Sequence, residues 1–389
     1  MELTPRARRT LVALGVTYAA VNAFIGVRQG GDFVFHLRLA DRLLRGQPMY
    51  TDFPGEIGMP WPPFAIFSLM PFALVARLSL PLVKALWAVG NVALFGWCLV
   101  QAFRHAGRWT PVVLAVAAVA QPLQSNFQYL NINIVLLALI VLAIDQVERG
   151  RELQAALCVA VATALKGYPG AVFLYFLVRG RWRPLIAGVA AVVGLSALVL
   201  LPAGLAGAAI IPDYVHLAFT AKSTQGLAGQ AIGGLVTRLG GDFAVIVTLD
   251  LLAVAAVSAV LWRGRGLGEP MYDFGTAALL AVLLSPLDRL HYYVLAFPAW
   301  SDTFSHAAPP PGGSKGGGPR GRGRAVWVSA LAATALLTSG MLSFIRHLPE
   351  PFWFIRQNTY TLGAFIFLLL LVLRRAPLLV PQPAVAQPS

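Results

Sequence analysis

Residues 184–211, PLIAGVAAVVGLSALVLLPAGLAGAAII, carry no charged side chain. Crossing a hydrocarbon core of about 30 Å takes roughly 20 helical residues, so a run this long and this apolar belongs in lipid. There, every backbone N–H and C=O must be paired within the chain, which leaves helices and closed barrels as the spanning structures. Comparable runs recur at 10–27, 80–103, 131–147, 242–262, 274–300, 326–345 and 357–373, and shorter or interrupted ones at 61–78, 110–122 and 153–178. A barrel would show short alternating segments instead. The expectation is an all-α polytopic membrane protein with about ten to twelve transmembrane helices.

Composition agrees: 58% of the chain is hydrophobic and 12% charged, against roughly 25% charged in soluble domains. The formal charge of +14 does not point to nucleic acid, because the basic residues cluster between apolar runs: RARR at 6–9, ERGR at 148–151, RGRWR at 179–183, RGR at 263–265, RGRGR at 320–324 and RR at 374–375. That is the positive-inside pattern, and it makes these loops cytoplasmic. The first run then starts from a cytoplasmic N-terminus in a plasma membrane, and residues 30–50 face outward. Cys98 and Cys158 lie inside apolar runs and read as packed free thiols.

Three regions follow: a membrane-embedded body over 1–306, a Gly/Pro-rich basic cytoplasmic loop over 307–324 (AAPPPGGSKGGGPRGRGR), and a C-terminal transmembrane helix pair with its tail over 325–389. No internal repeat is visible. The charge pattern holds one topological conflict. If both 61–78 and 80–103 cross, RHAGR at 104–108 lies outside against its charge; if it lies inside, one of those segments is re-entrant or on the surface. Residues 153–178 stand between two basic loops and call for two short helices meeting at Lys166-Gly167-Tyr168-Pro169, with the lysine beside a cavity.

The polar residues are few enough to examine singly. In GGDFVFHLRLADRLLRGQPMY, 30–50, Phe33, Leu37, Ala40 and Leu44 share one helical face and Arg38, Asp41, Arg42 and Arg45 the other, with Gly46 as a stop. This is an amphipathic helix for the outer membrane surface. Asp32 stands just before it, either as an N-cap or as a general base, since a carboxylate base on the outer side must come mainly from Asp32, Asp41, Asp52, Glu56 and Asp213. The Trp and prolines of MPWPPFAIF, 59–67, suit interfacial anchoring or a lipid-carrier groove. Amides in QSNFQYLNIN, 124–133, either bond between helices or line a cavity that holds sugar hydroxyls. In LLSPLDRLHYYVLAFP, 283–298, Pro286 breaks an apolar run beside Asp288, Arg289 and His291, which face a cavity or form an interface pair.

Taken in order, DFxxxxxxAxxLLxGxPxY from Asp32 to Tyr50, WPPFA, QYLNIN, ALKGYP and SPxxxxHYY resemble the polytopic glycosyltransferases of family 87, which depend on polyprenol-phosphate-mannose and have the GT-C architecture. The resemblance covers roughly residues 10–300, and GLAGQAIGGLVTRL, 226–239, looks like a further block of the family. It implies an active site on the outer face with Asp32 as base. The family's lysine-proline motif matches Lys166, although Gly-Tyr intervenes before Pro169; its paired histidines read His291-Tyr292; its Gly-Gln-Val-Asn block appears as Gln128 followed by Tyr129-Leu130-Asn131-Ile132-Asn133.

The implied chemistry is inverting transfer of a hexose, most plausibly mannose, to a lipid or glycan acceptor. A phosphate leaves as a stable anion, so the reaction needs a base for the acceptor and cations for the phosphate. Asp32 takes the first role and Lys166, Arg289 and His291 the second, with Gln128, Asn131, Asn133 and Gln230 on the sugar or acceptor. No phosphate-binding Gly-rich loop suggests a nucleotide cofactor; a divalent metal is compatible with the chemistry, but no DxD pair or His/Cys cluster calls for one. The bilayer, the polyprenyl-phosphate sugar and the acceptor are the expected partners. Alternatives are a lipid or sugar transporter that forms no bond, and a transferase of another polyprenyl-linked sugar such as arabinose or glucose.

Overall fold

The computed structural model describes residues 5–50, 61–203, 209–224, 229–285, 289–307, 319–340, 347 and 349–375. Among them the chain is all-α, without a strand. The helices of the first half are α1 Pro5–Arg28, α2 Gly31–Leu44, α3 Pro63–Ser68, α4 Met70–Ala76, α5 Leu80–Ala106, α6 Trp109–Ala118, α7 Ala120–Tyr129, α8 Asn133–Glu148 and α9 Glu152–Lys166. A 3₁₀ turn Tyr168–Phe173 leads into α10 Leu174–Val178, α11 Trp182–Ala197, α12 Leu200–Ala203, α13 Ile210–Thr224, α14 Ile232–Arg238, α15 Phe243–Arg263 and α16 Pro270–Leu284. A second 3₁₀ segment, Leu290–Ala296, precedes α17 Phe297–Ala307, α18 Pro319–Ser339 and α19 Trp353–Arg375.

Among the described residues, four segments are long and apolar enough to cross a membrane by themselves: Leu80–Ala106, Trp182–Pro202, Phe243–Arg263 and Glu350–Arg375. Together with shorter apolar helices such as Trp109–Ala118 and Pro270–Leu284, this is the make-up of an all-α polytopic membrane protein. Several of the other apolar runs are divided, and two of the divisions have a clear local cause. Pro122 has no N–H to give the Ala118 carbonyl and its ring crowds that oxygen, so α6 ends and α7 begins around Val119. Gly167, at φ 52°, ends α9 in a backbone region that a side chain disfavours.

The conflict around 61–108 is removed by lengths. α3 and α4, six and seven residues long, rise about 1.5 Å per residue and cannot span the core. Both pack on α2, and of the three only α5 is long and apolar enough to cross; near its end His105 meets Glu148 in the ERGR loop at 3.3 Å. RHAGR therefore lies with the other basic loops.

α2 is the amphipathic helix read in the sequence, burying Phe33, His36, Leu37, Leu39, Ala40 and Leu43. It closes in a Schellman arrangement, with Gln47 N–H on the Arg42 carbonyl at 2.9 Å, Gly46 N–H on Leu43 at 3.1 Å and Gly46 at φ 66°. The 307–324 loop is shorter than expected, because α18 begins at Pro319; 308–318 lie outside the described residues. Cys98 and Cys158 are free thiols.

The C-terminal helix is docked into the body rather than set beside it. Asp273, buried in α16, accepts from Arg179 at 2.6 Å and from Arg375 at 2.7 Å. Arg375 also reaches Glu269 at 2.9 Å, and Arg374 meets the buried Asp302 of α17. Tyr272 Oη donates to the Leu371 carbonyl at 2.6 Å, and the Trp300 and Phe367 rings stack at 3.6 Å. These ion pairs sit at the basic-loop end of the bundle. The polar cluster described next lies at the other end, where α1, α7 and α9 finish and α8 starts.

Candidate active site

The turn between α1 and α2 sets the position of Asp32. α1 stops at Arg28, where the buried Lys84 of α5 donates to the Arg28 carbonyl at 3.2 Å, a cation placed on a helix C-terminus. Gly30 then adopts φ 51° and donates its N–H to the Gln128 carbonyl at 3.2 Å. The cap position of α2 is thus Gly30, and Asp32 stands inside the first turn, where its side chain caps nothing. The N-cap reading of Asp32 is corrected on this point: glycine supplies the left-handed conformation the turn requires.

Facing this turn, α7 ends in an unusual way. Leu130 takes φ 51°, the single described non-glycine residue at positive φ. Its carbonyl accepts from Trp87 Nε1 at 2.9 Å, and Asn131 N–H returns to Asn126 at 3.0 Å. Non-glycine residues in this region cost roughly 1–2 kcal/mol, and the result is a tight reversal that points Asn131 and Asn133 back at Asp32 and Lys166. Close approach of α1 is part of the same construction: a Cβ on Gly26 would lie 2.2 Å from the Phe127 carbonyl oxygen.

The Asn131 amide is the hub. Its Nδ2 donates to Asp32 Oδ2 at 2.7 Å and lies 3.1 Å from His291 Nε2, while its Oδ1 accepts from Lys166 Nζ at 3.1 Å. Asn133 Oδ1 accepts from Lys166 at 3.0 Å and from Tyr168 Oη at 3.0 Å. The His291 backbone carbonyl accepts from Asn126 at 2.7 Å and Asn133 at 3.2 Å. Lys166 also sits 3.9 Å from the centre of the Tyr292 ring, which stacks on Tyr168 at 4.9 Å. The ammonium is thereby held by two amide oxygens and an aromatic face.

Of the residues singled out in the sequence, Asp32, Lys166, Asn131, Asn133 and His291 come together. Asp32 is half-buried, while Asn131, Asn133, Lys166 and His291 are buried. Gln128 contributes its backbone carbonyl to the Gly30 turn. Arg289 is exposed, two residues from His291. Gln230 does not join the cluster: it donates to the Gln357 carbonyl at 3.0 Å, near the start of α19, and its own carbonyl accepts from Tyr293. Asp52, Glu56, Pro286 and Asp288 lie outside the described residues.

Sequence reasoning missed His36, Tyr168 and the part played by Tyr292. His36 Nδ1 meets the Asp32 carbonyl, His36 Nε2 accepts from Trp61 N–H at 3.0 Å, and the two rings stack at 3.9 Å. Burial pushes the His36 imidazole down to about 3, the nearby Lys166 charge adds to this, and the bond to the Asp32 carbonyl opposes it; the ring is neutral. A histidine four residues after Asp32, on the buried face of an amphipathic helix, was the available signal. Among the described residues no group of three or more His, Cys, Asp or Glu side chains is placed to hold a metal ion.

Chemically, the cluster offers a half-exposed carboxylate, a buried ammonium one amide away, a neutral imidazole and an exposed guanidinium. Comparison with known proteins gives a consistent result. The sequence profile of glycosyltransferase family 87 matches residues 60–286. A polyprenol-phosphate-mannose-dependent alpha-(1-2)-phosphatidylinositol mannoside mannosyltransferase of Mycobacterium tuberculosis is 29% identical over 290 residues, 66% of this chain and 66% of that protein. Its namesake from Mycolicibacterium smegmatis is 27% identical over 337 residues, 75% of this chain and 71% of the relative. A phosphatidylinositol pentamannoside mannosyltransferase of the latter organism is 28% identical over 269 residues, 64% of this chain and 62% of the relative. The chain thus spans somewhat under two thirds of the first and third of these proteins. No solved structure matches.

Proposed function

Because the chain belongs to glycosyltransferase family 87, we propose that it transfers mannose from a polyprenyl-phosphate carrier to a hydroxyl of a mannosylated phosphatidylinositol-type lipid, with inversion. The acceptor oxygen attacks the anomeric carbon, the carbon–oxygen bond to phosphate breaks, and the acceptor proton passes to Asp32. The phosphate departs as an anion and needs no acid. In this reading Lys166, Arg289 and His291 receive that anion, with the Lys166 ammonium as the main electrostatic contribution. Asn131 and Asn133 hold this machinery together, and sugar hydroxyls are left to groups at the open side of Asp32.

The single observation that carries this reading is the Asp32–Asn131–Lys166 chain, which puts a base and a phosphate-binding cation on one amide. An apolar cleft of about 790 Å³ lined by Leu14, Val16, Val89, Leu99, Val113 and Phe127 supports a polyprenyl donor, since it runs along α1 and ends one turn from Leu130. The cluster's place at the end of the bundle away from the basic loops supports an outward-facing site in a multi-pass plasma-membrane enzyme with a cytoplasmic N-terminus.

The test is transfer of labelled mannose from polyprenyl-phosphate mannose by the purified protein, read as the mass gain of the acceptor lipid. Asp32→Asn keeps an oxygen for Asn131 and removes the base, and turnover should fall about 10²- to 10⁴-fold. Wild-type turnover in that variant would remove Asp32 from the role. Movement of lipid without bond formation would favour a transporter, and transfer from the arabinose or glucose carrier alone would change the donor.

A further inference from the structure

His36 is placed to do more than fill the core under α2. Its two ring nitrogens have different partners: Nδ1 lies against the Asp32 backbone oxygen, which can only accept, and Nε2 faces the Trp61 N–H, which can only donate. The ring is therefore the neutral Nδ1–H tautomer, fixed at both ends. Trp61 stacks on that ring and stands 5.9 Å from the Lys166 ammonium, and its carbonyl accepts from Tyr50 Oη at 3.0 Å.

Two routes then join the base to the cation. One runs from the Asp32 carboxylate through the Asn131 amide to Lys166; the other runs from the Asp32 carbonyl through His36 and Trp61 back to Lys166. A carboxylate held only by the first route could swing with its helix turn, because α2 begins at a glycine and has no side-chain cap. The second route fixes that turn against the Trp-Pro-Pro segment. We infer that His36 is a positioning residue, which sets the Asp32 carboxylate and the Trp61 ring at a fixed distance across the mouth of the site. This rests on Asp32 acting as the base in the reaction proposed above.

The rival is a histidine that only stabilises the fold, and two isosteric substitutions separate the cases. An Asn side-chain amide nitrogen occupies the place of Nδ1, so His36→Asn keeps the bond to the Asp32 carbonyl and loses Trp61. A Gln amide oxygen reaches the place of Nε2, so His36→Gln keeps Trp61 and loses the Asp32 carbonyl. His36→Phe keeps the stack and loses both bonds. Misplacement of a reacting group by about 1 Å can cost 10²-fold.

The experiment measures kcat and KM for polyprenyl-phosphate mannose on folded, size-selected protein, together with nitrogen NMR of ¹⁵N-histidine-labelled protein, with the His36 signals assigned by the Gln variant. The expected result is a neutral Nδ1–H ring that does not titrate between pH 5 and 8. With it, kcat should fall roughly ten- to hundredfold in His36→Phe, at near-constant KM, and return in part with Asn or Gln. A ring that titrates near the ordinary histidine value overturns the inference. So does an unchanged kcat per folded molecule in His36→Phe, even if that variant melts earlier. A wild-type protein that transfers no mannose would defeat the functional reading instead, and the two failures are distinct.

Discussion

Asp32 and Lys166 meet across one amide: Asn131 gives its Nδ2 hydrogen to the carboxylate at 2.7 Å and takes a hydrogen from the ammonium on its Oδ1 at 3.1 Å. An amide is suited to this place because it is neutral and carries its donor and its acceptor on separate atoms. A carboxylate at 131 would repel Asp32, and a cation would repel Lys166.

Asn131→Leu is the direct check. Leucine matches the shape but leaves Lys166 with one amide acceptor, Asn133, and leaves Asp32 Oδ2 without its donor. A buried group deprived of its partner costs about 1–3 kcal/mol, so the thermal midpoint should fall and turnover with it. A variant as stable and active as the wild type would show that the amide carries neither charge in place.

Much of this was legible in the sequence, for reasons particular residues make plain. Asp32, Lys166 and His291 are charged or titratable groups beside apolar runs, and the cost of such groups in lipid singles them out. Gly46 and Gly167 marked helix ends because each supplies a positive φ. The place of His36 on the buried face of α2 was legible but its bonds were not, since its partners are a backbone carbonyl and the N–H of a residue 25 positions on, and no periodicity records those. Whether 61–78 spans or lies on the surface stayed open in the sequence, because apolar composition does not report depth. Gln230 was placed with Gln128 on the sugar or acceptor, yet its side-chain bonds go to Gln357 and Thr361 of α19, a contact set by tertiary packing.

Leu130 yields a prediction about backbone rather than chemistry. Its side chain is fully buried and its φ is 51°, so Leu130→Ala loses packing and keeps the strain. Leu130→Gly loses the same packing and relieves the strain, and should be the more stable of the two by about 1 kcal/mol. Denaturation of the two variants side by side tests it; the usual order of alanine above glycine would contradict a strained left-handed turn.

Acid should weaken the fold through His36. The ring titrates at about 3 when folded and near 6.5 when unfolded, so below about 6.5 the unfolded chain binds a proton that the native chain refuses. The contribution is therefore complete above that value and is lost as pH falls towards 3, at about 1.4 kcal/mol per unit. Between pH 7.5 and 5 the wild type should lose about 2 kcal/mol more than His36→Gln. Carboxylates shared by both proteins cancel in that difference, and equal losses would mean that the ring is not buried neutral.

At the other end of the bundle, Asp273 is the residue on which the docking of α19 depends. Fully buried, it receives Arg179 from one side and Arg375 from the other. A buried pair contributes little net stability relative to an apolar substitute, but removing one partner strands the other charge at a cost of about 3–5 kcal/mol. In Asp273→Asn, Arg375 retains Glu269 and Arg179 retains the Arg265 carbonyl, so the cost should fall in the lower part of that range. The loss should appear in the thermal midpoint and leave kcat per folded molecule unchanged, because the cluster is separated from Asp32 by the length of the bundle. Arg375→Met in the same protein should add less than its own single cost, since the pair is already broken. If Asp273→Asn instead left stability intact and lowered kcat, the ion-pair cluster would be coupled to the site rather than serving to dock α19.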